Sequence, residues 1–116
     1  MEIIKTKNTK VKPSTLFNMT RGANRVPLRQ CDADRLELVE WVIFTDEMND
    51  GTVMECASLK DADGVIWTTN GATFVRDFQA CAEACEYGGK TLEEIIIIER
   101  QSKKGRTFRT CILPED

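Results

Sequence analysis

The residues with most chemical content lie close together near the end of the chain. Arg100, Lys103, Lys104, Arg106 and Arg109 follow one another with no acidic residue between them. Lysine and arginine at this density suit a polyanion, because each phosphate they neutralise releases a counterion. Flat rings are the second ingredient. Trp41, Phe44, Trp67 and Phe108 are spread through the second and last thirds of the sequence, and single-strand binders stack bases on such rings beside a positive groove. Lys5 and Lys7 add cationic groups near the start. Arg106 and Arg109 are three apart, so on a strand they face opposite sides. This is the chemistry of holding a ligand, and catalysis needs other groups.

Those other groups are missing. The chain has no histidine, which removes the commonest general base, the commonest metal ligand and the His-dependent nucleophile pairs. Cys81 and Cys85 have the i,i+4 spacing of half a zinc site. No CxxC pair and no histidine completes it, and both positions fall on an apolar stripe where a free thiol packs as a small hydrophobe. Cys56 and Cys111 sit in strand-like stretches and read the same way, while Cys31 lies in a loop and is the most reactive candidate. Glu93 and Glu94 are adjacent in a strand, so they point apart and make a poor acid/base pair. No glycine-rich phosphate loop occurs. The expectation is a non-enzyme without metal or cofactor.

Charge is segregated. Formal net charge is −3, but residues 1–30 hold seven Lys/Arg and one acid, residues 31–99 hold four Lys/Arg and sixteen acids, and residues 100–110 hold five Lys/Arg and no acid. Such sign segregation predicts a two-faced surface. The odd cysteine count, five, and the lack of a signal-peptide pattern predict free thiols in a reducing, cytoplasmic setting. No apolar stretch is long enough to span a membrane.

The elements that must position these groups follow from periodicity. At 116 residues the chain fits one compact domain. Residues 1–30 read as a basic arm packing on a domain formed by 31–116, with a short helical turn over Ser14–Ala23 and an irregular connection around Pro27. Strands are predicted over Leu36–Thr45, Thr52–Leu59 and Val65–Thr69, joined by turns at Asp50-Gly51 and Asp63-Gly64. In the first strand Val39, Trp41 and Ile43 share one face, and Leu38, Glu40, Val42 and Phe44 the other. From Ala72 the apolar positions Phe74, Phe78, Cys81 and Cys85 trace one helix face, capped by Thr69 or Asn70 and ended by Gly88-Gly89. Strands resume over Leu92–Glu99 and Arg106–Leu113. Three strands, a helix and two strands are the order of an OB-fold, a five-stranded Greek-key barrel that grips oligonucleotides and oligosaccharides. The loop over Gln101–Gly105 would then be a ligand-gripping loop, and the acidic loop over Asp46–Gly51 would repel phosphate.

Three segments carry a family resemblance: Ser14–Ala23 (STLFNMTRGA), Thr69–Phe78 (TNGATFVRDF) and Ser102–Cys111 (SKKGRTFRTC). Together they resemble small single-stranded DNA-binding proteins encoded by tailed phages and prophages of Gram-positive bacteria. The resemblance implies an OB-like barrel that coats single-stranded DNA during phage replication. The leading expectation is a sequence-tolerant single-stranded DNA binder in replication or recombination of phage or mobile-element DNA, with replication proteins as partners. The four isoleucines Ile95–Ile98 add self-association as an expectation. The competing expectation is a protein-binding module, or an inhibitor of a host nucleic-acid enzyme, that uses the acidic surface.

Overall fold

A computed structural model describes residues 1–115. The chain is mainly β, with a sheet curled into a half-barrel and two helices. β1 (Glu2–Thr6) leads to α1 (Pro13–Arg21), the two-residue β2 (Val26–Pro27) and a short 3-10 turn at Leu28–Gln30. Then come β3 (Arg35–Glu47), β4 (Val53–Asp61), β5 (Ile66–Thr69), α2 (Ala72–Tyr87), β6 (Glu94–Gln101) and β7 (Thr107–Ile112). The sheet runs β2-β5-β4-β3-β6-β7, with β1 also paired to β3, and every pairing is antiparallel except β2 with β5. The five strands expected from the sequence are all present. The sheet nevertheless has seven, because residues 2–6 and 26–27 of the basic arm pair with it as well.

β3 organises the molecule. Its first three residues pair with β6, and from Leu38 onward it pairs with β4. At the changeover Leu38 faces Asp61 and Glu40 faces Lys60, so Val39 is an extra residue, a β-bulge. The bulge corrects the face assignment made from strict alternation. Leu36, Leu38, Trp41 and Ile43 all belong to the inner core, whereas Val42 and Phe44 turn outward and Val39 is 52% exposed. Several groups hold the bulge in place. Lys7 Nζ donates to the Leu38 carbonyl at 2.7 Å, and the Lys7 amide donates to the Trp41 carbonyl. The Glu40 carboxylate accepts from the Trp41 amide and from Asn8 Nδ2.

From Glu40 to Phe44 both faces of β3 are therefore buried. Inside the curl, α2 lays Phe74, Phe78, Cys81 and Ala82 against Trp41, Ile43, Leu59, Leu92 and Ile95. Trp41 meets Phe78 edge-on at 5.4 Å between ring centres, and its indole N–H donates to the Leu92 carbonyl. Outside, α1 covers Val42, Phe44 and Cys56 with Met19 and the half-buried Leu16. α1 opens on Pro13, whose fixed φ suits the first turn. It stops at Gly22, where a Cβ would lie 2.5 Å from the Asn18 carbonyl oxygen. The opposite face of the first strand is thus met by the N-terminal segment rather than left to solvent.

α2 ends as its glycines predict: the Lys90 amide reaches back to the Cys85 carbonyl across Gly89, which has φ +73. Its start differs from expectation. Gly71 is the N-cap and no side chain caps the helix, because the Thr69 hydroxyl instead accepts from the Gly71 amide.

Candidate nucleic-acid interface

The half-barrel has a seam between β5 and β7, and the arm fills it. Val26 and Pro27 run parallel to Trp67 and Thr68 of β5. Across the gap Arg109 Nη1 of β7 donates to the carbonyls of Leu28, at 3.1 Å, and Cys31. Leu28 and Cys31 are buried there. Arg109 Nε also lies 3.7 Å from Glu99. Sequence reasoning placed Arg109 among the ligand contacts. The structure assigns its donors to the seam, because the inward side of β7 points at the arm rather than at solvent.

Two clefts flank the seam, each about 490 Å³ in volume, and they share Leu28, Arg29 and Thr69. The first runs past Arg25 to the end of α1 and includes Asp46 and Asn70. The second holds Arg29, the backbone of Gly71–Thr73 at the start of α2, Glu99 and the half-buried ring of Phe108. α2 has no acidic residue in its first turn and no side-chain cap. Its leading amides and the positive end of its dipole therefore open onto this cleft, a setting that favours anions. The two acids of the clefts are engaged: Asp46 pairs with Arg21 at 3.4 Å, and Glu99 with Arg109.

Beyond Phe108 the β6–β7 hairpin projects Lys103, Lys104 and Arg106, all exposed and without an ion pair among the described residues. Arg100 is exposed too, opposite Phe108 in the β6–β7 ladder. Arg25 and Arg29 were missed in the sequence. They sit in an irregular, proline-containing stretch with no periodicity, and only the excess of positive charge in residues 1–30 pointed that way.

The other predicted contacts are placed elsewhere. Trp41 is 2% exposed and Phe44 1%, so neither offers a face for stacking, which corrects the expectation for both rings. The bulge turns Trp41 into the inner core, and α1 roofs Phe44. Trp67 is half-buried, and its indole N–H donates to Asp61. Lys5 pairs with Glu86 at the end of α2, and Lys7 serves the bulge. These two lysines therefore tie the arm down. The acidic residues Glu37, Asp61, Asp63, Glu93 and Glu94 gather where β3 leaves β6 for β4, at the end of β6 opposite the basic hairpin.

α1 also occupies the outer face of β4. Ser58 Oγ donates to the Met19 carbonyl at 2.5 Å, and Met19 packs on Cys56. That face of β4 is thereby closed to solvent, with Cys56 and Ser58 buried under α1. No helix is long and apolar enough to cross a membrane among the described residues. No known protein family, curated protein or solved structure matches this chain.

Proposed function

We propose that the chain is a non-catalytic, sequence-tolerant binder of single-stranded DNA that coats the strand during replication or recombination of phage or mobile-element DNA. In this reading β3 to β7 form an OB-like Greek-key barrel, partly open at the β5–β7 seam. The ligand follows the clefts rather than the β4–β5 face. The observation that carries the proposal is the convergence of Arg25, Arg29, the uncapped start of α2 and the Phe108 ring beside the unpaired cations of the hairpin. Cations there would neutralise phosphates, the helix amides would take a phosphate oxygen, and Phe108 would stack on a base at about 1–3 kcal/mol.

The test is fluorescence anisotropy of a labelled oligo-dT across a salt series. The proposal expects affinity that falls steadily with salt. No binding even at low salt, or binding indifferent to salt, removes it.

One observation favours the second reading, a docking module for a basic protein. Val39, exposed on the bulge, lines a cleft with Glu37, Glu93 and Glu94. Substituting Val39 and Glu93 leaves oligonucleotide affinity unchanged under the first reading. Under the second, it abolishes capture of a basic partner that persists after nuclease treatment.

A further inference from the structure

Two thiols meet where α2 lies along β7. Cys81 and Cys111 are both buried, at 8% and 2% exposure, and both belong to the inner core cluster. They line one wall of an open cavity of about 390 Å³, together with Asp77, Thr110 and Arg100. One helical turn earlier the Thr110 hydroxyl donates to Asp77 across the same two elements, so Cys81 and Cys111 lie one step along a junction that is already bonded. The two thiols share both that cavity wall and the core cluster behind it. Both cysteines are free.

We propose that Cys81 and Cys111 are an oxidisable dithiol, a modification site at which hydrogen peroxide joins α2 to β7 through a disulfide. The roles divide by environment. A hydrogen bond from Cys111 pulls Cys81 below the ordinary thiol range, against the opposing effects of burial and of Asp77. The same hydrogen bond, followed by burial, pushes Cys111 far up. Cys81, the more exposed of the two at the cavity wall, meets the peroxide and is the attacking thiolate, and the more deeply buried Cys111 is the resolving thiol. The Cys81 sulfur attacks the peroxide, an S–O bond forms and the O–O bond breaks, and the leaving hydroxide becomes water with the proton Cys81 gave up. Cys111 then attacks the sulfenic sulfur, the S–S bond forms and the S–O bond breaks, and the departing hydroxide takes the Cys111 proton as a second water. Two thiols and one peroxide give one disulfide and two waters. The site is independent of the nucleic-acid reading. Its consequence is that β7, which carries Phe108 and Arg109, becomes covalently tied to the helix behind it.

The test uses the folded, full-length chain. It is exposed to a few equivalents of hydrogen peroxide, alkylated, and digested after Lys, Arg and Glu, so that the cut after Glu83 separates Cys81 from Cys85. The expected product is a reducible pair joining the Cys81 peptide to the peptide beginning at Thr110, with Cys31, Cys56 and Cys85 alkylated. The link persists in Cys85→Ser. In Cys111→Ser, checked for folding by circular dichroism, Cys81 is trapped as a dimedone-labelled sulfenic acid. Full alkylation of both Cys81 and Cys111 after oxidation, or a link from Cys81 to any other cysteine, overturns the proposal.

Discussion

Arg109→Ala separates a structural role from a ligand-binding one. Arg109 joins β7 to residues separated from it by 81 and 78 positions, through hydrogen bonds to the Leu28 and Cys31 carbonyls. Hydrogen bonds to a charged donor contribute about 1.5–3 kcal/mol each, so the pair sets a ceiling of roughly 3–6 kcal/mol. The side chain is 29% exposed, and water can reach carbonyls freed by truncation. A loss of about 2–3 kcal/mol is therefore expected. The Glu99 pair adds little, because Glu99 is 63% exposed and 3.7 Å away, and such surface pairs are worth about 0–1 kcal/mol. Urea unfolding followed by tryptophan emission gives the measurement. Arg109→Ala should lower the midpoint at unchanged slope, with Tm down by roughly 10–15 °C for a domain of this size, whereas Glu99→Ala should cost under about 1 kcal/mol. If Arg109→Ala costs less than about 0.5 kcal/mol, the seam is not held as described and Arg109 returns to the list of ligand contacts.

Replacing Lys103, Lys104 and Arg106 together by alanine should change stability by no more than about 0.5 kcal/mol. The same triple variant should flatten the slope of log affinity for oligo-dT against log salt by about 2, at roughly 0.7 per phosphate contact. An unchanged slope would take the hairpin out of the interface. Trp41→Ala should cost about 3–5 kcal/mol as a buried aromatic. Acrylamide should quench Trp67 before Trp41, so Trp67→Phe should remove most of the quenchable emission, and equal quenching of the two indoles would contradict the burial described. The Asp50 carboxylate, bonded to the Thr52 side chain and amide, is held below the ordinary carboxylate value. Its folded value is depressed, so its stabilising effect is present at neutral pH and is lost as pH falls through that value. An NMR titration of the Asp50 side chain should report the depression, and Thr52→Val should reduce it.

How much of this was legible depends on where each signal came from. The order of β3, β4, β5, α2, β6 and β7 was readable because each has its own periodicity and the turns carry Asp50-Gly51 and Asp63-Gly64. Phe74, Phe78 and Cys81 were readable as core from spacing alone. Trp41 and Phe44 were not readable as buried. An apolar strand looks the same whether it is roofed or bare, and the roof over Phe44 comes from Leu16 and Met19 in a segment distant in sequence. Arg109 illustrates the same limit, since a cation in a basic run gives no sign that carbonyls of a remote loop will claim it. The bulge at Val39 is invisible to alternation, which assumes two residues per repeat without interruption.

That extra residue also governs how the chain tolerates changes in length. Trp41, Val42, Ile43 and Phe44 are all apolar and all buried, so across these four positions a one-step slip trades one apolar side chain for another, and polarity opposes it only at the flanks, where Glu40 or Thr45 would enter an apolar slot. Deletion of Val39 would therefore exchange an indole and a sec-butyl group for an isopropyl and a phenyl at the same depth. Selection against such slippage rests on Lys7, Asn8 and Glu40, which hold the kink, more than on the hydrophobic residues themselves.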